Sequence, residues 1–244
     1  MLSWNSGIVF KPRTNTSVYA SYATSFNPSV EASAGGAALS ESPTSANNVN
    51  LAPEKSRNLE FGAKWESGGG RAIATAALFR TEKTNALTRG ATTEPFVLDG
   101  EQRVDGLELS FTGNLTDRWS VLTSYAHLDS EFVASANPLE QGTALAFVPE
   151  SSFNVWTEAR LVRGFSVGAG AQYMDSIFRN ATNTAEVPSY WLVNAMAAYD
   201  VSRSLTLRLN VNNLADELYV DRVGGGHYIP GPGRSVSVNA EFGF

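Results

Sequence analysis

Few side chains in this sequence could carry out covalent chemistry, because the 244 residues include two histidines, His127 and His227, and no cysteine. A hydrolytic site needs a nucleophile, a base and a group that orients the base, so it would have to be built around one of these histidines. His127 lies in an alternating segment at 119–133, and His227 follows three glycines. We predict no catalytic residues and no enzymatic activity.

The same two residues decide whether a metal site is expected. Without cysteine there is no thiolate ligand, and a histidine site needs further ligands nearby. No such partner is visible beside either histidine in the sequence. We therefore predict no metal-ligating residues.

Composition removes two broad classes of protein. The formal net charge of -6 argues against a nucleic-acid partner, which would require a basic surface. No window approaches the run of about 18 apolar residues that a transmembrane helix needs. Strands that cross a membrane remain compatible with this composition, since they hide their apolar half in alternation.

The final segment, residues 234–244, alternates strictly between apolar and polar residues. A period of two places alternate side chains on opposite faces of a strand. Apolar side chains toward lipid and polar side chains toward the lumen are typical of a transmembrane β-barrel. One face carries Val236, Val238, Ala240, Phe242 and Phe244, and the other carries Ser235, Ser237, Asn239 and Glu241.

Similar segments recur along the chain, and the connections between them alternate between short and long. Outer-membrane barrels show this asymmetry, with tight periplasmic turns and long extracellular loops, whereas a β-sandwich with several long loops is the alternative. Strands are predicted near 2–11, 16–26, 54–66, 71–83, 102–113, 118–133, 151–162, 165–177, 188–200, 204–214 and 233–244. Short turns are predicted at 12–15, 67–70, 114–117, 162–164 and 200–203, and long connections near 27–53, 84–101, 134–150, 178–187 and 215–232.

Aromatic residues gather near both ends of the predicted strands. Two aromatic belts are expected where a barrel meets the two membrane interfaces; the alternative is the ordinary enrichment of aromatics in strands. Near the short turns and the C-terminus lie Phe10, Trp65, Trp119, Phe165, Tyr199 and Phe244, and near the long connections lie Phe26, Phe79, Phe132, Phe178 and Tyr190.

About eleven strands do not make a closed bacterial barrel, which normally has an even number. An open sheet in lipid would leave unpaired edges. The first residues also lack the basic and apolar regions of a signal peptide. We therefore expect this chain to be part of a longer one.

Five segments between about residue 51 and the end of the chain carry recognisable motifs. They are LAPEKSRNLEFGAKW at 51–65, VDGLEL at 104–109, VPESSFNVW at 148–156, LNVNNLADELY at 209–219 and GGGHYIPGPGRS at 224–235. Together they resemble the C-terminal half of TonB-dependent outer-membrane siderophore receptors, and they occur in the order found in that family.

The resemblance implies an all-β, antiparallel transmembrane barrel of 22 strands in the bacterial outer membrane, with residues 1–244 as its second half. Nothing in residues 1–244 resembles the plug domain, the TonB box or the first barrel half. The implied partners are the plug and missing barrel half, the TonB complex through the N-terminal region, the lipid bilayer and, through Phe244, the barrel-assembly machinery. The implied function is uptake of ferric siderophores, with residues 221–228 leaning toward catecholate types. The alternatives are a truncated remnant that does not transport, and a passive or structural outer-membrane barrel.

A siderophore receptor needs aromatic and cationic groups near its mouth, because the ligand is bulky and often anionic. Iron would arrive chelated, so no cofactor is expected. The alternatives are solvated charges for the arginines, and packing or interfacial positions for the tyrosines. The candidates are Arg89, Arg179, Tyr219, Arg222, His227 and Tyr228. Polar residues predicted to face the lumen and its plug are Asn58, Glu60, Lys64, Glu108, Asn154, Glu158, Arg160, Arg208 and Asn210.

Overall fold

The computed structural model describes residues 2–27, 52–89, 96–162, 164–224 and 227–243. Fifteen strands are formed by these residues, and no helix among them is long and apolar enough to cross a bilayer. The strands are β1 (Trp4–Arg13), β2 (Thr16–Asn27), β3 (Glu54–Glu66), β4 (Ala72–Arg89), β5 (Phe96–Thr116), β6 (Trp119–Ala134), β7 (Ser151–Arg160), β8 (Phe165–Met174), β9 (Ile177–Phe178), β10 (Glu186–Val187), β11 (Tyr190–Ser202), β12 (Leu205–Asn212), β13 (Val220–Gly224), β14 (His227–Pro230) and β15 (Ser235–Phe242).

Eleven of these strands form one antiparallel sheet in which chain neighbours pair in succession. Its order is β1-β2-β3-β4-β5-β6-β7-β8-β11-β12-β15. The other four form two small hairpins, β9 with β10 and β13 with β14, inside the last two long connections. The prediction of an antiparallel sheet of about eleven strands with alternating short and long connections is confirmed.

The predicted strand boundaries lie within about three residues of the observed ones except at the connection between β4 and β5, and the predicted short turns at 114–117 and 200–203 overlap the ends of β5 at Thr116 and of β11 at Ser202. The predicted loop at 84–101 is largely strand, because β4 runs to Arg89 and β5 starts at Phe96. Register shifts near Ala86 and a positive φ of 54° at Asn85 interrupt the alternation, which hid these strand ends. The two small hairpins are too short to produce a readable period.

Register separates the sheet into two faces of different chemistry. Phe61 lies opposite Ala20 on one side and Leu78 on the other, and this face, the apolar face, is largely aliphatic and aromatic. Glu60 lies opposite Ser21 and Phe79 on the second face, the polar face. Large apolar side chains are open on the apolar face, with Leu78 60% and Val238 72% exposed. An exposed apolar sheet face suits bilayer hydrocarbon, and the polar face suits a wet lumen.

One row of directly opposed residues on the apolar face shows how the strands cross the bilayer. It starts at Trp191, near the long connection before β11, and ends at Phe10, beside the first short turn. Eight strand spacings of about 4.8 Å separate these ends, so a row crossing an apolar band of about 25 Å lies near 40° to the membrane plane. This is the tilt expected of outer-membrane barrel strands. The row consists of Trp191, Tyr173, Phe153, Tyr125, Leu109, Ala76, Ala63, Val18 and Phe10.

The aromatic belt beside the short turns lies where the sequence predicts it. Phe10, Trp65, Trp119, Phe165 and Tyr199 all lie on the apolar face; Phe244 lies outside the described residues. The second belt was partly wrong. Phe79, Phe132 and Tyr190 lie on the polar face, whereas Phe153, Tyr173 and Trp191 pack together on the apolar face with ring centroids 6.2 Å and 4.9 Å apart.

Aromatic rings on the polar face lie flat across glycines of the neighbouring strand. The Tyr19 ring covers Gly62, and the Phe79 ring covers Gly106. The Trp156 ring occupies the space above Gly168 and Gly170. Because glycine has no Cβ, each ring packs against the wall instead of projecting into the lumen. These three rings therefore take up little space beyond the polar face.

Within the described residues, the free edges of β1 and β15 pair with no strand. An unpaired edge in lipid leaves backbone N–H and C=O groups without partners, each at a cost of several kcal/mol. The sheet therefore requires further strands to close in a membrane.

Adjacent residues near mid-membrane provide a test of the two faces. We expect Val155→Arg, on the apolar face between Thr123 and Ala171, to destabilise the protein by about 2–4 kcal/mol, because it places a charge in hydrocarbon. Asn154→Arg, on the polar face between Ser124 and Gln172, should cost little. Urea unfolding in lipid vesicles measures both. Equal losses for the two variants would contradict the assignment of faces.

Close strand contact at the β4–β5 pair gives a second test. A Cβ at Gly113 would overlap Ala72 and stand 2.7 Å from the carbonyl oxygen of Arg71. Backbone atoms cannot swing away, so we expect Gly113→Ala to destabilise the protein by about 1–3 kcal/mol. Gly68→Ala, with nothing within 4 Å of its Cβ, is the control and should be near neutral. The temperature at which the folded band is lost in cold gel electrophoresis reports the difference.

Candidate functional site at the long-loop end

The long connections meet at one end of the sheet, where backbone bonds and amide side chains join them. Asn183 donates from Nδ2 to the carbonyl oxygen of Ala144 at 3.0 Å, and its Oδ1 accepts from the Ala144 amide at 2.8 Å. The amide of Phe147 donates to the carbonyl oxygen of Phe178 at 2.8 Å. The connection at 135–150 is thus held against the β9–β10 hairpin.

Asn213 organises the last long connection. It is 4% exposed and takes a positive φ of 49°, a conformation that asparagine tolerates better than most residues. Its Nδ2 donates to the carbonyl oxygens of Glu217 and Pro232 at 2.9 Å and 3.1 Å, and its Oδ1 accepts from the Glu217 amide. Its own amide donates to Oδ1 of Asn194 on β11. One buried side chain therefore fixes the base of the β13–β14 hairpin to the barrel wall.

Tyr219 and Tyr190 form an aromatic pair beneath this hairpin. Their ring centroids are 4.6 Å apart, and the Tyr219 ring also lies over Gly231, where no side chain could be accommodated without moving it. Burial, followed by the nearby Asp221 carboxylate, raises the pKa of Tyr219 above its ordinary value. The Tyr219 hydroxyl therefore stays protonated at neutral pH.

A cavity of about 280 Å³ opens between the hairpins, above the polar face. Its apolar lining includes Phe147, Met174 and Tyr190, and its charged lining is Asp175, Asp221 and Arg222. Arg222 Nε is 3.5 Å from Asp221 Oδ2, and the arginine side chain is 77% exposed. We call this the mouth cavity. Its lining combines aromatic surface with a cation.

A second contact joins the two hairpins. The Arg179 guanidinium carbon lies 5.3 Å from the centroid of the Tyr228 ring, within the range of a cation–π interaction. Tyr228 lies opposite Val223 in the β13–β14 pair, while Arg222 lies opposite Ile229. Tyr228 and Arg222 therefore lie on opposite faces of this hairpin.

The predicted ligand-contact residues divide into three groups. Arg222 lines the mouth cavity, and Tyr219 supports it through Tyr190. Arg179, Tyr228 and the exposed His227 lie on or beside the outer part of the two hairpins. The backbone of Arg89 ends β4, but its side chain lies outside the described part of the structure.

Sequence reasoning did not assign Phe147, Met174, Asp175 or Tyr190 to this site. Tyr190 was expected in the interfacial belt. Both faces of β11 are apolar, with Leu192 and Met196 on the face of Tyr190 and Val193 and Ala195 on the other. The alternation of apolar and polar residues therefore could not show on which face Tyr190 lies.

His127 lies on the apolar face, where its Nδ1 is 3.2 Å from the Ser151 hydroxyl. In the described part of the chain no carboxylate hydrogen-bonds to the imidazole, so the group that would orient a base is not in place. Residues 164–168 read G-F-S-V-G, the letters of a nucleophile elbow. Ser166 instead lies within β8, opposite Arg160 and Ala198, without the strand–turn–helix that such an elbow requires.

No group of three or more His, Asp or Glu side chains among the described residues could hold a metal ion. The predicted absence of a protein–metal bond and of catalysis is not tested by this and stays a prediction.

Comparison with known proteins gives consistent results. The sequence profile of the family "TonB dependent receptor-like, beta-barrel" matches residues 1–214. The probable TonB-dependent siderophore receptor PiuA of Acinetobacter baumannii is 36% identical over 252 residues, covering 99% of this chain and 34% of PiuA. The catecholate siderophore receptor Fiu of Escherichia coli K12 is 32% identical over 255 residues, covering 100% of this chain and 33% of Fiu.

Solved structures agree with the sequence matches. The crystal structure of PiuA superposes with a TM-score of 0.88 at 34% identity, over 98% of this chain and 35% of that one. The closed form of Fiu gives a TM-score of 0.86 at 32% identity, over 100% and 35%. The chain spans about a third of the length of these relatives. Its open antiparallel sheet, its two-faced strands and these matches place the chain in the TonB-dependent receptor β-barrel family of the bacterial outer membrane.

Proposed function

We propose that the protein containing this chain takes up ferric siderophores across the outer membrane, and that this chain supplies barrel wall and extracellular mouth. The observation that carries the proposal is the mouth cavity, which combines an exposed arginine with aromatic surface above the polar face. The names of PiuA and Fiu, both siderophore receptors, support it.

The chemistry of the mouth cavity fits part of such a ligand. Ferric siderophores are bulky and often anionic, and guanidinium groups pair with anionic oxygens through several N–H donors. Since whole small molecules usually occupy about 300–1,000 Å³, a cavity of about 280 Å³ would hold one arm of the ligand. Arg222 would supply charge, and Tyr190, supported by Tyr219, would supply a ring face.

A flat, aromatic ligand arm is favoured over an aliphatic one. The catecholate receptor Fiu and a ferrioxamine B receptor are both 32% identical to this chain, so identity does not choose between their ligands. The tilted aromatic pair Tyr190–Tyr219 favours a planar ring, because aromatic contacts with offset or edge-to-face geometry add to the gain from burial. We therefore propose a catecholate-type ligand.

The polar face offers a seat for an internal plug domain. Glu60 accepts a 2.5 Å hydrogen bond from the Tyr19 hydroxyl, and Glu108 lies on the same face two strands away. No described residue forms an ion pair with either carboxylate. A domain inside the barrel would neutralise both with its own cations, and the flat rings over Gly62 and Gly106 leave room for it.

Uptake against a gradient also requires energy, which a β-barrel wall does not supply. We therefore propose the TonB complex as a partner, acting through a plug and a TonB box outside this chain. A passive pore is the competing function. It would conduct small solutes continuously and without TonB.

The proposal as a whole is tested by iron uptake. Cells lacking other receptors and expressing the complete protein should accumulate labelled iron from a catecholate complex, and accumulation should stop in a TonB-deficient strain. Uptake that persists without TonB would favour the passive pore. No uptake of either catecholate or hydroxamate complexes would contradict siderophore transport.

The contribution of Arg222 can be measured separately. Arg222→Gln removes the exposed cation of the mouth cavity and should weaken ferric catecholate binding about tenfold, the effect of losing one charge-assisted hydrogen bond. Binding to the purified complete protein can be followed by fluorescence quenching. Arg71→Gln is the matched control, because Arg71 pairs with Asp117 at the short-turn end. Unchanged affinity in Arg222→Gln, or an equal loss in the control, would contradict the assigned role.

The role of Glu60 and Glu108 as a seat for the internal domain can be tested separately. Glu60→Gln combined with Glu108→Gln removes the two unneutralised carboxylates and should loosen the internal domain, so that cells become sensitive to a large antibiotic normally excluded by the outer membrane. The folded electrophoretic mobility of the barrel should not change. Glu150→Gln, an exposed position in a long connection, controls for the loss of charge. Unaltered sensitivity in the double variant would rule out this seat.

A further inference from the structure

A charged cavity of about 640 Å³ opens at the short-turn end of the sheet, where β7, β8, β11, β12 and β15 lie side by side. Two short turns border it, one between β7 and β8 and the other between β11 and β12. Outer-membrane barrels direct their short turns toward the periplasm. We call this the rim cavity, and it lies at the opposite end of the strands from the mouth cavity.

The floor of the rim cavity is a row of directly opposed residues on the polar face. The row consists of Arg160, Ser166, Ala198 and Arg208, on β7, β8, β11 and β12. Arg160 shares the polar face of Asn154, because an even number of positions separates them on β7. Three strand spacings of about 4.8 Å separate the two arginines. The small side chains between them leave a gap that both guanidinium groups can reach.

Neither arginine has an acceptor in the described part of the chain, where no ion pair and no side-chain hydrogen bond involves Arg160 or Arg208. Arginines on β3, β4 and β5 are paired instead, namely Arg57 with Glu82, Arg80 with Asp105 and Arg103 with Glu131. A guanidinium presents several N–H donors in a planar fork that fits a carboxylate. Two such groups on either side of one gap therefore fit an anionic group from outside the wall.

Two glutamates limit what this anionic group can be. Glu158 lies two residues before Arg160 on the same face of β7, and Glu241 lies opposite Thr206, two residues before Arg208 on β12. Both line the rim cavity, and neither carboxylate forms an ion pair within the described ranges. They would repel a free, multiply charged anion. A polypeptide can place one carboxylate between the arginines and direct amide N–H groups or a cation toward the glutamates.

We propose that the rim cavity binds an acidic side chain of the internal domain, held between Arg160 and Arg208. This inference rests on the internal domain proposed above, but it does not depend on which ligand is transported. The carboxylate accepts from both guanidinium groups, and Glu158 and Glu241 accept from neighbouring groups of the same segment. Because the rim cavity lies at the periplasmic end, this contact fastens the part of the internal domain that is nearest to the TonB complex.

Photo-crosslinking in the complete protein tests this contact. Residues 1–244 contain no cysteine, so a benzophenone attached to Ser166→Cys places the probe between the two arginines. We expect it to capture a peptide of the internal domain that contains Asp or Glu, which mass spectrometry identifies. Arg160→Gln combined with Arg208→Gln should reduce this capture at least about tenfold, since charge-assisted hydrogen bonds are lost at both arginines.

Two controls separate this contact from general effects of charge and folding. Arg203→Gln, in the neighbouring short turn but outside the rim cavity, should leave the capture unchanged. A benzophenone at Ser110→Cys, on the polar face two residues after Glu108, should capture the internal domain in every variant, which shows that the barrel and the domain are still assembled.

The outcomes distinguish this inference from the proposal of an internal domain. Absence of capture at both cysteines, with both arginines present, would contradict the internal domain itself. Capture at Ser110→Cys alone would overturn the rim contact only, as would capture at Ser166→Cys that the double substitution does not reduce. Capture of a separate periplasmic protein would also overturn it. So would capture that inorganic phosphate abolishes and sodium chloride of equal ionic strength does not, since that result indicates a free anion.

Discussion

The need to pair every backbone N–H and C=O group in hydrocarbon determines the rest of this molecule. It requires a continuous hydrogen-bonded sheet, and eleven strands provide one from Trp4 to Phe242. A pleated strand then sends alternate side chains to opposite faces. The division into an apolar and a polar face is thus a consequence of backbone pairing, and the side chains decide only which face meets lipid.

The interior follows from the same geometry. A wall of pleated strands directs half of its large side chains inward, where they would fill the lumen. Here Tyr19, Phe79 and Trp156 lie flat over glycines of adjacent strands, so the inner surface is smooth and partly aromatic. The polar face accordingly leaves space for the internal domain that we propose.

The alternation of apolar and polar residues was sufficient to predict the position of a single strand. The segment at 204–214 reads as β12 because Leu205, Leu207 and Leu209 alternate with polar residues. It failed where both faces are apolar, as in β11, and where bulges break the period, as near Ala86. The candidate site was harder still. Asn213 reaches Pro232, nineteen residues away in sequence, and no local pattern signals a bond of that range.

Strand tilt explains why depth in the membrane cannot be read from sequence position. The row that begins with Trp191 at one interface ends with Phe10 at the other, so directly opposed residues lie at different depths. For the same reason Asp129 lies nearer the long-loop interface than Leu59, on the same row three strands away. Asp105 and Arg80 lie between them on this row and form an ion pair with each other. Because the row and the membrane plane diverge, the wall carries charged side chains at one end of the row and apolar side chains further along it.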